Sequence, residues 1–362
     1  MKILFILHYP PPIHGAAVVG KYIMSSKKIN STFDSEFINL STSHSIDEIG
    51  KGGFLKWRRY AGILSKTVSK CLKQKPDLVY MTLSTTAPGL YKDAFVVFIA
   101  KLLGFRLVYH LHNKGVKKNS EKFIEKRLYP WIFKNSDVIL LSPHLYEDIA
   151  KFVAAERVKY CGNGIEEIIG IKNPSTHSKE DKINLLFLSN LLKSKGIWDL
   201  LKTCVVLKES GIKFQCIIAG AEGDVTAEDL NTFVNDNGLA EEIKYVGKVS
   251  GEEKKAILET ADIFIHPTQE DCFPLVLLEA MQYSLPIIST FEGAIPEIIK
   301  NYETGIIVER GSPKELAEAV TYLKNHPDKR ILMGKRGFQR FKENYTLSIF
   351  ENRLISTLSS LE

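Results

Sequence analysis

The sequence predicts an α/β protein made of two doubly wound parallel sheets in tandem, and three observations predict it. The chain has 362 residues, which is more than one domain with a single hydrophobic core usually contains and fits two domains of roughly 170–180 residues. Short apolar runs alternate with amphipathic stretches of about ten or more residues, the length that a parallel crossover needs. The alternation stops at a polar stretch near the middle of the chain and then begins again.

The first half of the chain predicts an open doubly wound sheet. The opening run MKILFIL is apolar and is typical of a buried strand, and the prolines after it form a rigid break. The predicted elements of this half are, in order, strand Lys2–His8, a helix from Gly15 to about Lys28, strand Phe33–Leu40, helix Phe54–Lys75, strand Asp77–Thr82, helix Tyr91–Leu103, strand Arg106–His110, helix Lys122–Lys134 and strand Val138–Ser142.

A polar segment broken by glycine and proline, Gly162–Asp181, predicts the domain boundary. We therefore expect a first domain at 1–168, a linker at 169–181 and a second domain at 182–343. Ligands of open α/β sheets bind at the carboxyl ends of the strands, so the two domains are expected to face each other across a cleft. The second domain is predicted to contain the strands Ile183–Leu188, Phe214–Ala219, Ile243–Val246, Ile263–His266, Pro286–Ser289 and Gly305–Val308, with the helices Ile197–Ser210, Glu228–Asn237, Gly251–Thr260, Pro274–Tyr283, Ile295–Lys300 and Pro313–Asn325 among them.

The composition argues against several classes of protein. No apolar run reaches the roughly 18–20 residues of a spanning helix, since the longest, Ala94–Leu103, contains Lys101. The N-terminus has no small-residue cleavage site before its prolines, which favours a strand over a signal peptide. The five cysteines are scattered without a CxxC pair, which argues against a zinc site or a disulfide framework and favours reduced, buried thiols. We therefore expect a cytoplasmic protein.

The charge is concentrated in the first half of the chain. Residues 1–175 contain 26 Lys and Arg against 14 Asp and Glu, and residues 51–134 contain 18 against 4. Such basic surfaces with interleaved aromatic residues bind anionic lipid headgroups, so we predict peripheral attachment to the inner face of the cell membrane. A solvated helix face is the alternative, and nucleic-acid contact is a less favoured one. The interleaved aromatic residues are Phe54, Trp57, Tyr60, Phe123, Tyr129 and Trp131.

Two acids flank a predicted helix start in the segment Asp271–Met281, DCFPLVLLEAM. Pro274 suits the first turn of a helix, and the free N–H groups and positive dipole end of a helix beginning there form an anion site. Glu279 follows Asp271 by eight positions, about 12 Å along a helix, which approximates the span from the sugar to the ribose of a sugar nucleotide. Spacing alone leaves equally open that Asp271 is only a helix-start acid and Glu279 only a surface charge.

The segment resembles the acid-x7-acid signature of the retaining glycosyltransferase family 4, the glycosyl transferases group 1, whose members have the GT-B fold. The stretches Glu279–Ile299 and Asn301–Val308 follow the same pattern, and the resemblance runs along nearly the whole chain and is strongest at residues 185–310. It departs from the family at Asp271, where Glu is commonest. The resemblance implies a catalytic role for Asp271 and donor contacts for Glu279, Cys272, Phe273, Pro274, Leu275 and Val276.

A second match lies between a predicted strand and the helix that follows it. Lys195-Gly196 corresponds to the family's Lys-Gly, whose lysine contacts the donor diphosphate. A cation there stabilises the negative charge that develops on the leaving oxygen, so Lys195 is assigned a catalytic role. The family's arginine, five positions earlier, is replaced by Asn190, which we place at the donor, and Lys193 is a candidate for the missing cation. Taken alone, these lysines are typical of a solvated loop.

Two segments of the first half complete the predicted site. Gly15 follows the proline break at a helix start, where a glycine lets the backbone approach a phosphate or a sugar closely, and it resembles the family's N-terminal glycine-rich loop. His110 and His112 stand at the end of a predicted strand and point to the same side of it. In the family a histidine so placed contacts the donor sugar; we assign His112 as the catalytic choice and His110 as the second, although such a pair taken alone is more often structural.

The resemblance implies transfer of a sugar from a nucleoside-diphosphate sugar to a hydroxyl of a glycan or a lipid-linked acceptor, with retention at the anomeric carbon, in cell-surface polysaccharide or glycolipid synthesis. Positioning and stabilisation of the leaving group then supply most of the rate. Lys195 and helix N-termini are expected to replace a divalent metal, and no Asp-x-Asp motif occurs in the chain, so we expect neither a metal nor a cofactor besides the donor substrate.

Two other functions on the same fold stay open. One is a sugar-nucleotide epimerase that hydrolyses the donor linkage without an acceptor, and the other is a non-catalytic sugar-nucleotide binder, which the departures at Asn190 and Asp271 suggest. At the C-terminus, Asn344–Leu361 predicts a final helix. The resemblance implies that this helix, at 344–362, packs back on the first domain.

Overall fold

Two parallel six-stranded sheets organise the chain, one in each of two units. The computed structural model describes residues 1–11, 14–41, 54–168, 170 and 182–361. The first unit contains Met1–Gly164 and Leu347–Glu362, and the second contains Ile165–Thr346. Most of the predicted linker, residues 169 and 171–181, lies outside the described residues, so the exact linker bounds stay a prediction.

The first unit is built on a parallel sheet whose four inner strands are buried on both faces, as near-continuous apolar runs predict, whereas its two edge strands are partly exposed. Its strand order is β2-β1-β3-β4-β5-β6. The elements are β1 Lys2–Leu7, α1 Gly15–Ser25, α2 Lys27–Thr32, β2 Asp34–Asn39, α3 Phe54–Gln74, β3 Leu78–Thr82, α4 Gly89–Leu102, β4 Leu107–Leu111, α5 Val116–Asn119, α6 Glu125–Phe133, β5 Asp137–Leu140 and β6 Val158–Tyr160, with 3-10 turns at Pro143–Asp148 and Ala155–Arg157.

One predicted helix of the first unit is two helices in the structure. The sequence predicts a single helix from Gly15 to about Lys28, but α1 ends at Ser25 and α2 begins at Lys27. The break occurs because the Ser26 hydroxyl accepts a hydrogen bond from the Ile29 backbone N–H at 3.2 Å. Serine is a preferred N-cap residue, so it begins a new helix where hydrophobic spacing alone predicts continuation.

The second unit repeats the architecture with the strand order β12-β11-β10-β7-β8-β9. Its core lies between the sheet and the helices that flank it, and it includes Phe187, Leu200 and Leu323. The elements are β7 Ile183–Leu188, a 3-10 turn at Lys193–Lys195, α7 Ile197–Glu209, β8 Phe214–Ala219, α8 Ala227–Asp236, β9 Ile243–Tyr245, α9 Gly251–Thr260, β10 Ile263–His266, α10 Leu275–Gln282, β11 Ile287–Thr290, α11 Ile295–Ile298, β12 Gly305–Val308, α12 Pro313–Asn325 and α13 Pro327–Asn344.

The C-terminal helix α14, Leu347–Ser359, belongs to the first unit. It packs against α2, where the Lys28 ammonium donates to the Ser348 hydroxyl at 2.7 Å. The Arg353 guanidinium donates to the Gly162 carbonyl at 3.2 Å. Phe350 is fully buried in this contact region, so the last residues of the chain complete the first unit.

The five cysteines are all buried and free, as the scattered spacing predicts. Within the described residues, no helix is both long and apolar enough to cross a membrane.

Two aromatic residues of the predicted basic surface are not on a surface. Tyr60 and Tyr129 are buried, because Tyr60 donates to the Lys92 carbonyl and Tyr129 donates to the Thr85 carbonyl at 2.7 Å. A tyrosine buries its ring where its hydroxyl finds an acceptor. Trp57 and Phe123 are exposed as expected, whereas the side chain of Phe54 lies outside the described residues.

Candidate functional site

The order in which the chain visits the parallel strands of the second unit reverses at the centre of the sheet. β7 pairs with β8 on one side and with β10 on the other, both in parallel. The chain therefore leaves β7 toward one edge of the sheet and returns to the other side of it at β10. The loops after these two strands diverge at the carboxyl end of the sheet, which is the usual ligand position in open α/β sheets. Lys195 lies in the first of these loops and Asp271 in the second.

Lys195 and Asp271 are in direct contact across this switch point. The Lys195 ammonium lies 2.6 Å from the Asp271 carboxylate and also donates to the Glu270 carbonyl at 3.2 Å. Both side chains are mostly buried but retain some exposure. The two residues are 76 positions apart in sequence, so the fold brings together the cation and the acid that the sequence assigns to one site.

His266 is a third member of this cluster. It is the last residue of β10, is almost fully buried, and its Nε2 lies 3.3 Å from the same Asp271 oxygen. Burial opposes ionisation of Asp271, but the hydrogen bond with His266 and the charge of Lys195 outweigh it and lower the pKa of Asp271 to about 2. Asp271 is therefore a carboxylate at neutral pH, which accepts hydrogen bonds and does not donate one.

Backbone contacts fix the two loops against each other. The Ser194 carbonyl accepts from the Gln269 N–H at 2.8 Å and from the Glu270 N–H at 3.0 Å. Gly196 has φ +77°, and a Cβ at this position would lie 1.9 Å from the Pro267 carbonyl oxygen. Only glycine permits both the conformation and the approach, so the Lys-Gly pair has a structural reason for its glycine.

Glu292 and Arg310 support the Asp271 loop from its other side. The buried Glu292 carboxylate accepts from the Asp271 N–H at 3.3 Å and lies 2.8 Å from the Arg310 guanidinium. Next to it, Gly293 has φ +52°, and a Cβ there would lie 2.3 Å from the Asp271 carbonyl oxygen. These contacts hold the Asp271 backbone in place, so the carboxylate is positioned from two directions.

Glu279 lies on α10 and forms an ion pair with a lysine of the preceding helix. The Lys254 ammonium of α9 is 2.6 Å from the Glu279 carboxylate, and both side chains are partly exposed. α10 begins at Leu275, one residue after Pro274, so the predicted helix start is confirmed within one residue. The position of this carboxylate is therefore fixed by a residue that the sequence motifs did not single out.

The other predicted donor-binding residues of this unit occupy different environments. Cys272, Phe273 and Pro274 are buried, and Leu275 and Val276 are partly exposed at the start of α10. Asn190 is exposed, and its side-chain oxygen accepts from the Ala221 N–H at 3.3 Å. Asn190 thus joins the loops after β7 and β8. Lys193, the candidate for the missing cation, is exposed on the neighbouring 3-10 turn.

In the first unit, the two predicted histidines lie side by side but differ in burial. The rings of His110 and His112 lie with centroids 4.2 Å apart, on the same side of the strand as expected. His110 is fully buried and shares a 2.5 Å hydrogen bond with the Tyr80 hydroxyl. The second choice is therefore a core residue, because its ring does not reach the surface. His112 is partly exposed.

His112 belongs to a cluster of neutral histidines. Burial, followed by the nearby His8 and His14, lowers the pKa of His112 to about 3. Burial also lowers the pKa of His8 to about 3, with Lys92 and His14 adding to it. At neutral pH these rings are uncharged and each offers one donor and one acceptor. Gly15 is the first residue of α1, and open space surrounds the position of a Cβ there.

Four residues of the site were missed by the sequence reading, namely His266, Glu292, Arg310 and Lys254. Only His266 had a usable signal, because it is the last residue of a predicted strand and lies five positions before Asp271. The others come from elements far apart in sequence. Within the described residues, no group of three or more His, Cys, Asp and Glu side chains could hold a metal ion.

Comparison with known proteins shows which family model the chain matches and which solved structures have a similar fold. The model of the family "Glycosyl transferases group 1" matches residues 170–340. The amylovoran biosynthesis glycosyltransferase AmsK of Erwinia amylovora is 29% identical over 226 residues, which are 60% of this chain and 54% of that protein. The capsular polysaccharide biosynthesis glycosyltransferase CapM of Staphylococcus aureus is 26% identical over 241 residues, 62% of each. The chain thus spans little more than half the length of these curated relatives.

Among solved structures, the Anabaena protein HepE in complex with UDP has a TM-score of 0.76 and 18% identity, and the match covers 99% of this chain and 100% of that one. At this identity the likeness concerns the fold, which is the α/β GT-B fold of glycosyltransferases that the resemblance implied. The segment that holds Lys195, Asp271 and Glu279 therefore lies within the residues that match the model of the glycosyl transferases group 1 family.

Proposed function

We propose that this protein is a glycosyltransferase of class EC 2.4 that moves a sugar from a nucleoside-diphosphate sugar to a hydroxyl of a glycan or lipid-linked acceptor, in the synthesis of a cell-surface polysaccharide. The observation that carries the proposal is the contact of Lys195 with Asp271 at the switch point of a group 1 domain. The names of AmsK and CapM, which refer to amylovoran and capsular polysaccharide synthesis, support the process. HepE, whose structure contains UDP, supports the donor class.

In the proposed reaction Lys195 acts on the leaving group. When the bond to the anomeric carbon breaks, negative charge develops on the diphosphate, and an ammonium held in place beforehand stabilises it without further reorganisation. Asp271 holds Lys195 and remains ionised because its pKa is about 2. Its second oxygen accepts from the Cys272 N–H at 2.9 Å, and a carboxylate oxygen can accept further hydrogen bonds, here from the sugar hydroxyls.

Glu279 is proposed to bind the ribose of the donor. A carboxylate on a helix accepts hydrogen bonds from two neighbouring hydroxyls, and the contact with Lys254 orients this one. We further propose that the sugar is transferred with retention and without a divalent metal, since Lys195 supplies the cation. The contact of His112 with the donor sugar and a peripheral place at the inner face of the cell membrane remain parts of the same proposal.

A thermal-shift panel of nucleoside diphosphates and sugar nucleotides tests the donor site. A ligand that binds only the folded state raises the melting temperature, so the true donor will do so for the wild type. Replacement Glu279→Ala removes hydrogen bonds to a charged group, each contributing about 1.5–3 kcal/mol, and we expect at least about tenfold weaker binding. The matched variant Glu318→Ala, on an exposed face of α12, will keep the shift. An undiminished shift for Glu279→Ala contradicts the ribose assignment.

The same donor then tests the reaction. With an acceptor, the product is read by NMR for retention at the anomeric carbon, and a chelator is expected to leave the rate unchanged. Turnover of the donor without any acceptor would instead identify an epimerase or hydrolase, and binding without turnover under every condition would identify a non-catalytic binder.

A further inference from the structure

Helix α4 of the first unit is apolar on both of its faces. Val96, Val97 and Ala100 are buried against the sheet, as the core side of a crossover helix requires. On the outer side, Phe95 and Phe98 are 58% and 52% exposed, and Leu102 is 70% exposed. Their spacing of three and four residues places them in one stripe along the helix. A surface helix ordinarily presents polar residues there, so this stripe calls for an explanation.

The stripe continues onto the neighbouring helices through ring contacts. The rings of Phe95 and Tyr60 have centroids 6.5 Å apart, and those of Tyr60 and Trp57 are 6.3 Å apart. Trp57, on α3, is 69% exposed. On the other side of α4, the rings of Phe98 and Trp131 of α6 are 6.4 Å apart. The exposed apolar surface therefore crosses three adjacent helices.

A second exposed pair lies at the start of α6. Phe123 is 79% exposed and Ile124 follows it, also exposed. The Tyr91 hydroxyl of α4 donates to the Glu125 carboxylate at 2.7 Å, which holds the start of α6 beside the start of α4. We call this whole surface the docking face; its exposed apolar residues are Trp57, Phe95, Phe98, Leu102, Phe123 and Ile124.

The docking face is large, and its helices also carry exposed cations. One aromatic side chain has roughly 150–250 Å² of surface, so these six, each at least half exposed, present roughly 500 Å². Monomers rarely expose apolar patches above a few hundred Å² unless they have a function. Arg58, Lys66, Lys73 and Lys122 are exposed on the same helices or at their starts, and the Arg127 guanidinium lies 4.8 Å from the Phe123 ring centroid.

We propose that the docking face binds the surface of an anionic lipid bilayer, with its aromatic side chains inserted among the headgroups and its cations on the anionic lipids. This proposal specifies the surface by which the protein would attach to the membrane; it rests on the proposed peripheral attachment but not on the identity of the donor. The charge of this region favours an anionic lipid surface as the partner, because residues 51–134 contain 18 Lys and Arg against 4 Asp and Glu. Two copies paired through this face would bring like charges together, whereas an anionic surface complements them.

Co-sedimentation with lipid vesicles tests the proposal. The full-length protein will bind vesicles of phosphatidylcholine mixed with phosphatidylglycerol, and will bind phosphatidylcholine alone much less. The double variant Phe95→Ser/Phe98→Ser will bind the mixed vesicles at least about tenfold more weakly, because one inserted aromatic side chain contributes roughly one order of magnitude in affinity. The matched variant Leu332→Ser, at an exposed apolar position on α13 of the second unit, will bind like the wild type.

A charge reversal tests the electrostatic part separately. The triple variant Arg58→Glu/Lys66→Glu/Lys73→Glu will lose its preference for anionic vesicles, whereas Lys314→Glu, exposed on α12, will keep it. Raising the salt to 1 M shortens the Debye length to about 3 Å and will weaken wild-type binding in the same way.

Two outcomes would overturn the proposal. One is equal vesicle binding by the wild type and the Phe95→Ser/Phe98→Ser variant. The other is a wild type that ignores vesicles but self-associates in a way that the variant abolishes, which would make the face a contact between copies. Failure of the donor proposal is separable, because Glu279→Ala will bind vesicles normally, and the docking-face variants will keep the donor-induced thermal shift, which also shows that they are folded.

Discussion

At the scale of single residues, Asp271 shows how one carboxylate is held by opposing effects. Burial alone would raise its pKa, yet the His266 hydrogen bond and the Lys195 ammonium lower the pKa to about 2. A one-unit shift corresponds to about 1.4 kcal/mol of differential interaction, so the folded state favours the ionised form by about 2 kcal/mol. The group that the proposed reaction needs as a carboxylate therefore also contributes to the stability of the second unit.

This contribution depends on pH in a definite direction. Because the pKa of Asp271 is lower in the folded than in the unfolded state, the stabilisation is complete above about pH 4 and is lost as the pH falls toward about 2. Urea unfolding of the wild type and Asp271→Asn should therefore differ by about 2 kcal/mol at pH 5–7, and the difference should shrink below about pH 4. The exposed Asp236 of α8 provides the control, and Asp236→Asn should show no such dependence. A difference that stays constant down to pH 3 would contradict this account.

At the scale of elements, glycines set how closely the loops of the site approach one another. Gly196 and Gly293 both have positive φ, and both lie against backbone carbonyls of the loop between β10 and α10. The first brings the Lys195 turn against Pro267, and the second brings the loop after β11 against Asp271. The positions of Lys195 and Asp271 thus depend on two residues without side chains.

A pair of glycine variants isolates this close approach. Gly196 and Gly211 have φ +77° and +70°, but a Cβ would meet the Pro267 carbonyl only at Gly196 and nothing within 4 Å at Gly211. In both alanine variants the left-handed backbone conformation destabilises the folded state by about 1–2 kcal/mol. Gly196→Ala should also displace the loop and lower kcat by at least about tenfold, whereas Gly211→Ala should lose only stability. Equal activity of the two variants would show that the approach does not position Lys195.

At the scale of the whole molecule, the chain completes its first unit with its last residues. Helix α14 packs on α2, and Phe350, Leu354 and Leu358 are fully buried. These residues are more than 300 positions from α2 in sequence, as the Lys28–Ser348 hydrogen bond illustrates. The first unit is therefore formed from both ends of the chain and becomes complete only when the C-terminal segment is in place.

Removal of one buried ring in α14 should loosen the first unit selectively. Phe350→Ala is expected to destabilise it by about 3–5 kcal/mol, and amide hydrogen exchange in α2 should accelerate while exchange in β7 of the second unit does not. Phe338→Ala, at an exposed position of α13, is the control and should change neither. Equal acceleration in α2 and β7 would contradict a contact specific to the first unit.

The sequence by itself determined the α/β class, the two doubly wound sheets, nearly all strands and the start of α10, because buried parallel strands and crossover helices leave strong periodic patterns in hydrophobicity. It also predicted Lys195 and Asp271 in loops after strands and Glu279 on the helix that follows, because motifs record residues that lie close together in sequence. Their roles at the donor stay predictions. It missed α13 and the break at Ser26, where the pattern is continuous or weak.

Only the tertiary structure decided which residues these side chains meet. The partners Lys254, Glu292 and Arg310 come from separate elements, and no local pattern encodes contacts that span 18 or more positions of the chain. His266 lies only five positions from Asp271, but the sequence does not show that its ring turns toward the carboxylate. Likewise, the sequence predicted that Tyr60, Tyr129 and Trp57 lie on one basic aromatic surface. In the structure both tyrosines are buried, with their hydroxyls hydrogen-bonded to backbone carbonyls, whereas Trp57 is exposed. Burial depends on where the whole chain packs, so the surface at α4 became visible only in the folded molecule.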